Sequence, residues 1–220
     1  FIAGVEKAIR EGLRTAVRRQ DASVVPALDA AADVARLLLT RPAAVYVSKV
    51  EVRPPVPEIQ GGMVVNFGEH AAKVRGLLEQ HEAKIIGADV EQIKIGDSSW
   101  HRKALGPNGP VVTWGFRRDY FVLAVGSDEA ESILKRMDGQ PPKWLAEVRQ
   151  QLAVERPATF SYVNAKAIIP LVSKAAGKEG ERVIQALGVD QLNFLATATG
   201  LEGTGFVSRS LCAMQGSPSG

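Results

Sequence analysis

The chain is 220 residues long, with 45% hydrophobic and 23% charged residues; this suits one globular domain or two small ones and excludes a disordered or low-complexity chain. Lysine and arginine number 27 against 24 acidic residues, and a net charge of +3 does not favour nucleic acid as a partner. One cysteine, Cys212, excludes an internal disulfide framework and a cysteine zinc cluster, and no apolar run reaches the roughly 18–20 residues of a membrane span.

Residues 1–19 place Ile2, Val5, Ile9, Leu13 and Val17 three and four apart, the stripe of an amphipathic helix. Arg10, Arg14 and Arg18 line another face, which suits an anionic surface or, with Glu6 four residues before Arg10, plain solvation. A second helix follows Pro26, with Leu28, Ala31, Ala32, Ala35, Leu38 and Leu39 on one side, and Arg41-Pro42 stops it. From Ala43 the period changes to two, predicting a strand through Val45, Val47, Val50 and Val52. Pro54, Pro55 and Pro57 predict an extended linker, and Gly61-Gly62 is expected to open a strand at 63–67. A helix follows Gly68 with Val74, Leu77, Leu78 and His81 on its buried side.

Strands are then predicted at 90–95, 100–105, 111–116 and 120–125, with a loop at Gly106-Pro107-Asn108-Gly109-Pro110 and a tight turn at Arg117-Arg118-Asp119. In the last of these strands Phe121, Leu123 and Val125 face one way, and Tyr120, Val122 and Ala124 the other. Apolar residues on both faces predict a central strand covered on each side. Ser127 reads as a helix N-cap with Asp128 and Glu129 in the first turn; Ile133, Leu134 and Met137 form the stripe, and Gly139 ends the helix. Trp144, Leu145, Val148 and Leu152 mark another helix before Arg156-Pro157. A strand at 159–163, a turn at 165–168 forced by Pro170, helices at 169–176 and 179–187, a left-handed Gly188 and a closing hairpin complete the reading.

The chain opens on Phe1 and trails into Gln215-Gly216-Ser217-Pro218-Ser219-Gly220, which reads as a fragment or a processed form, so the missing leader carries no information about compartment. Two segments echo each other: Arg41-Pro42-Ala43 and Arg156-Pro157-Ala158 each lead from a helix into a strand. Residues 63–68 lead into Ala71, Val74 and Leu77, and residues 121–126 lead likewise into Ala130, Ile133 and Leu134. Residues 160–164 run into Ile168 and Val172. These predict an α+β protein of antiparallel sheet with helices on its faces, built from two related strand–helix units, 1–139 and 140–220, joined around Asp138–Pro142.

With the stretch Leu187-Gly188-Val189-Asp190 and the run from Gly200 to Arg209, these segments resemble a group of uncharacterised, repeat-containing bacterial proteins that are exported or anchored to the envelope. The resemblance implies an exported or periplasmic location and supplies no catalytic residues.

The three histidines, His70, His81 and His101, lack metal-ligand spacing, and His81 reads as a packed core histidine. Gly96-Asp97-Ser98 has the opening of a serine-esterase motif, yet no histidine follows His101 to serve as base, so it reads as a turn. Gly200-Leu201-Glu202-Gly203-Thr204-Gly205 precedes an alternating strand rather than a helix, so it reads as a hairpin turn and not a phosphate loop. Cys212 reads as a buried small hydrophobe. No catalytic, metal or cofactor residues are assigned. The strongest patch is Trp100, His101, Arg102 and Lys103 with Trp114, Phe116, Arg117, Arg118 and Tyr120, where cations beside aromatics suit stacking on bases or sugars and cation–π contact with a ligand or partner; the alternative is a sheet whose Trp114 and Phe116 pack under a helix while Arg117-Arg118-Asp119 is a solvated turn. The reading is a non-enzymatic binding or structural module of a larger exported or envelope-associated protein, its partner another protein or another domain of the parent chain. A carrier of an apolar small molecule and a hydrolase with an unrecognised site are the alternatives.

Overall fold

The segment Tyr120–Val125, apolar on both sides, is the pivot of the first of two sheets. The computed structural model describes residues 33, 34, 36–38, 40–51, 58–85, 89–106 and 109–215. In chain order these form β1 (Ala43–Glu51), β2 (Glu58–Asn66), a 3-10 turn (Gly68–His70), α1 (Ala71–Ile85), β3 (Glu91–Ile95), β4 (Ser98–Ala104), β5 (Val111–Arg117), β6 (Tyr120–Val125) and α2 (Glu129–Asp138). Then come α3 (Lys143–Gln151), β7 (Arg156–Val163), α4 (Ala165–Ala186), a 3-10 turn (Val189–Gln191), β8 (Leu192–Glu202) and β9 (Gly205–Met214). The protein is α+β. It divides into two compact units, Phe1–Asp138 and Gly139–Gly220. The helix predicted at 1–19 with its arginine row, most of the helix after Pro26, and the proline linker lie outside the described residues.

In the first unit a six-stranded antiparallel sheet has the order β1-β2-β6-β5-β4-β3, which places β6 inside it. Side chains alternate across the pleat, and each face of the sheet carries its own core. On one face Phe121 joins Val65, Phe67, Trp114 and the α1 residues Ala71 and Val74, with Val34, Leu37 and Leu38 packed alongside. On the other, Val122 and Ala124 join Trp100, Ala130 and Ile133, the last two from α2. The expectation of a doubly covered central strand is borne out.

Several boundaries differ from the sequence reading, each for a local reason. β2 begins at Glu58 and runs through both glycines. A Cβ at Gly62 would lie 2.7 Å from the Ile133 Cδ1 and 2.8 Å from the Leu123 carbonyl oxygen, so the glycine lets α2 and β6 close on the strand rather than opening it. Ser127 and Asp128 form a turn, and α2 starts at Glu129.

In the second unit the order is β7-β8-β9, also antiparallel. α3 packs Val148 and Leu152 against Ala196 and Ala198 of β8, with Phe160, Tyr162 and Leu211 around them. The Trp144 ring packs against Tyr162 at 4.3 Å between ring centroids, tilted by 34°. β7 takes in Pro157, because an edge strand can turn a proline outward and a register shift between Pro157 and Thr159 absorbs it. No separate turn precedes α4: the Asn164 side chain accepts from the Ala167 amide at 3.1 Å and caps the helix from Ala165, leaving Pro170 inside. The break expected between the two predicted helices is present: α4 is two helical segments that meet at Gly177, whose backbone is non-helical with φ of 69°. Gly188 is left-handed, with φ of 66°, as expected for its position after a helix. Cys212 is exposed, which corrects its reading as a buried hydrophobe: Leu211 points to the α3 core, so its neighbour faces the other way on the edge strand β9.

The two units do not pair alike. In the first, the strand before α1 pairs with β6, four strands later; in the second, the strand before α4 pairs with β8, which directly follows the helix. The sequence echoes correspond to helix-to-strand and strand-to-helix junctions and not to a common sheet order.

Candidate functional site

β4 and β5 pair across the loop at 106–110, as the patch required, and they bring His101 directly opposite Trp114. The two rings stack at 5.8 Å with 16° between their planes. Adjacent residues on a strand point to opposite faces, so the rest of the patch separates. Trp100 faces α2 and is 0% exposed, its ring lying over Gly115, where a Cβ would come within 2.5 Å of it. Its indole nitrogen has no hydrogen-bond partner among the described residues. Arg102 is on that same face, bound through Nε at 3.1 Å and Nη2 at 3.0 Å to the Glu91 carboxylate. Arg117 reaches α2, donating to the Asp138 carboxylate at 2.5 Å and the Leu134 carbonyl at 3.2 Å. The hydrogen bond and charge of Arg117 hold the Asp138 carboxyl below its ordinary range. The single basic–aromatic surface is therefore corrected: Trp100, Arg102 and Arg117 are structural on one face, while His101, Trp114 and Arg118 gather on the other.

On that second face lies a cleft of about 640 Å³ between α1 and the β3–β4–β5 side of the sheet. Its floor is Trp114 and Phe116, of which Trp114 is only 5% exposed and belongs to the core. One wall is Arg75, Leu78 and Glu79 of α1. The rim is Gln92, Ser98, Ser99, His101 and Arg118. Phe116 is held by Phe121 at 5.3 Å and Phe67 at 6.5 Å. The Arg75 guanidinium sits over the Phe116 ring at 5.0 Å and donates to the Arg118 carbonyl at 3.4 Å. Arg118 itself takes a φ of 54° in the two-residue β5–β6 turn, which swings its backbone toward α1. The cleft thus offers an aromatic floor, two guanidiniums and an imidazole.

Arg75, Glu79 and Gln92 were not among the residues singled out from sequence. The available signal was the four-residue spacing of Arg75 and Glu79 beside the buried stripe Ala71, Val74 and Leu78. Gly96-Asp97 forms the β3–β4 turn, as expected, with Gly96 at φ 59°. His81 is buried in α1, and its Nδ1 has no partner among the described residues. Among the described residues no group of three or more His, Cys, Asp or Glu side chains is placed to hold a metal ion, and no helix is long and apolar enough to cross a membrane.

A polar cluster on the α2 face is structural. Tyr46 of β1 donates to the Glu129 carboxylate at 2.7 Å; Arg136 donates to the same carboxylate at 2.5 Å and to the Tyr46 oxygen, with its guanidinium 4.7 Å from the Tyr46 ring centroid. Burial alone would raise the Glu129 carboxyl, which is 6% exposed, but hydrogen bonds from Tyr46, Arg136 and Ser48 and the Arg136 charge outweigh it and hold the pKa below the ordinary value. Burial and the bond to Glu129 push the Tyr46 hydroxyl up. The cluster ties α2 to the β1 end of the sheet.

Comparison with known proteins found no match among family models, curated sequences or solved structures.

Proposed function

We propose that this chain is a non-catalytic binding module of a larger exported or envelope-associated bacterial protein, and that its ligand site is the α1 cleft, which takes a planar anion. The observation that carries the reading is the pairing of Trp114 and Phe116 as a floor with Arg75, His101 and Arg118 around it. A flat ring lies against the His101 imidazole, which itself stacks on buried Trp114, and beside the partly buried Phe116, and a carboxylate or similar group meets guanidinium donors at its edge. The lining does not favour the apolar carrier: most of the cleft residues are polar or charged, and Trp100, which a carrier cavity would use, is packed solidly on the opposite face.

The test is titration of the protein with 2-naphthoate, 2-naphthylmethanol and 2-naphthylmethylamine, followed by calorimetry. A charge-assisted hydrogen bond contributes about 1.5–3 kcal/mol, so the carboxylate is expected to bind at least roughly tenfold more tightly than the alcohol. Arg75→Ala should erase that difference. Equal binding of the three, or none, overturns the reading.

A second reading has one observation in its favour. Ser98, Ser99, His101 and Glu79, residue types used in acyl transfer, line this same cleft. A fluorophosphonate probe should leave the protein unlabelled. Labelling that disappears in Ser98→Ala or Ser99→Ala, and in His101→Ala, replaces the binding module with a hydrolase.

A further inference from the structure

Unpaired sheet edges invite another strand, and proteins guard them with bulges, proline, charge or brevity. Of the four sheet edges among the described residues, three are guarded. β1 carries a register shift between Val47 and Lys49 and ends in the charged pair Lys49 and Glu51. β3 has five residues, two of them Glu91 and Lys94. β7 has Pro157 and its register shift.

β9 is the least guarded: it runs ten residues, Gly205–Met214, without proline, and the register shift in its pairing, between Leu192 and Phe194, lies on the inner strand β8 and leaves β9 itself continuous. Its one charge, Arg209, is matched within the unit by Glu202 at 2.7 Å. On its outward face Phe206 is 72% exposed and Met214 is 43% exposed, with Ser208, Ser210 and Cys212 also exposed between them.

We propose that β9 is a self-association edge, pairing antiparallel with β9 of a second copy of this chain about a two-fold axis at Ser210. The register follows from elimination. A two-fold between antiparallel strands passes through a residue pair, and full overlap of β9 leaves Arg209 or Ser210 at the axis. Arg209 would set two guanidiniums face to face, which is repulsive. Ser210 at the axis puts Phe206 opposite Met214 of the second copy and Ser208 opposite Cys212. Both exposed apolar ends are then covered, and Arg209 lies opposite Leu211. Such an isologous contact uses one patch twice and closes on itself, so it stops at a dimer. It is small, and it places the dimer in the weak, concentration-dependent class.

The experiment is sedimentation equilibrium of the full chain over a hundredfold range of concentration. The mass is expected to rise from 23.6 kDa toward twice that value. Ser210 is exposed on the strand, so a charged side chain there leaves the unit folded. Ser210→Lys and Ser210→Glu should each remain monomeric at every concentration, with unchanged circular dichroism. Mixed in equal amounts, they should dimerise, since opposite charges then meet at the axis. A wild-type chain that stays monomeric overturns the proposal, as do single variants that dimerise like the wild type or a mixture that does not associate.

Discussion

Gly115→Ala is expected to destabilise the first unit by about 2 kcal/mol through one contact, in the range for overpacking a closed core. The added Cβ would lie 2.5 Å from the Trp100 Cε3 and 2.6 Å from its Cδ2, well inside van der Waals contact. The ring has little room to retreat, because it is wholly buried against Val122, Ala124, Ala130 and Ile133. With a denaturant slope of about 2 kcal/mol per molar in urea, the midpoint should fall by roughly 1 M at unchanged slope. Tryptophan fluorescence in a Trp144→Phe background reports this transition, since Trp100 and Trp114 both lie in the first unit. Trp100→Phe removes part of the obstructing ring system, so the same glycine substitution in that background should cost less than half as much. A change within about 0.5 kcal/mol in the wild-type background, the scatter of a neutral surface substitution, refutes the packing argument.

Glu129 has its carboxyl pKa lowered by folding, so it stabilises the native state above its unfolded value, about 4.3, and that contribution is lost as pH falls through the folded value. Glu129→Gln should therefore unfold more easily than the wild type at pH 7, with the gap in urea midpoint closing below about pH 4; a gap that is constant with pH contradicts the assignment. Exposed Cys212 should react with a thiol-specific disulfide reagent in the folded protein as fast as a free thiol, and protection until denaturant is added would show it buried. Asn164→Ala removes the α4 cap and should cost about 1 kcal/mol by urea unfolding followed at 222 nm, with Asn164→Asp restoring most of it; equal stability of the alanine and aspartate variants would show that the cap contributes nothing.

The fold class was legible because period-two alternation and turn residues are local signals. β6 shows this best: six residues, apolar at every position, could only lie inside a covered sheet. The same alternation applied to β4 and β5 would have divided the aromatic–basic patch, since Trp100 and His101 are neighbours in the chain and must point apart. The cleft was not legible. Arg75 and Glu79 meet His101 and Trp114 only once α1 folds over the sheet, and no local pattern encodes that approach. Proline was weighed too heavily in the second unit. An edge position excused Pro157, and the Asn164 cap allowed α4 to begin five residues ahead of Pro170.

The most direct measurement is the nitrogen–proton correlation spectrum of the tryptophan indoles during addition of 2-naphthoate. The Trp114 resonance should move progressively with ligand while Trp100, packed under α2, and Trp144, in the other unit, stay fixed, and Arg75→Ala should abolish the movement. Shifts at Trp100 or Trp144 with Trp114 unmoved would contradict the assignment of the cleft.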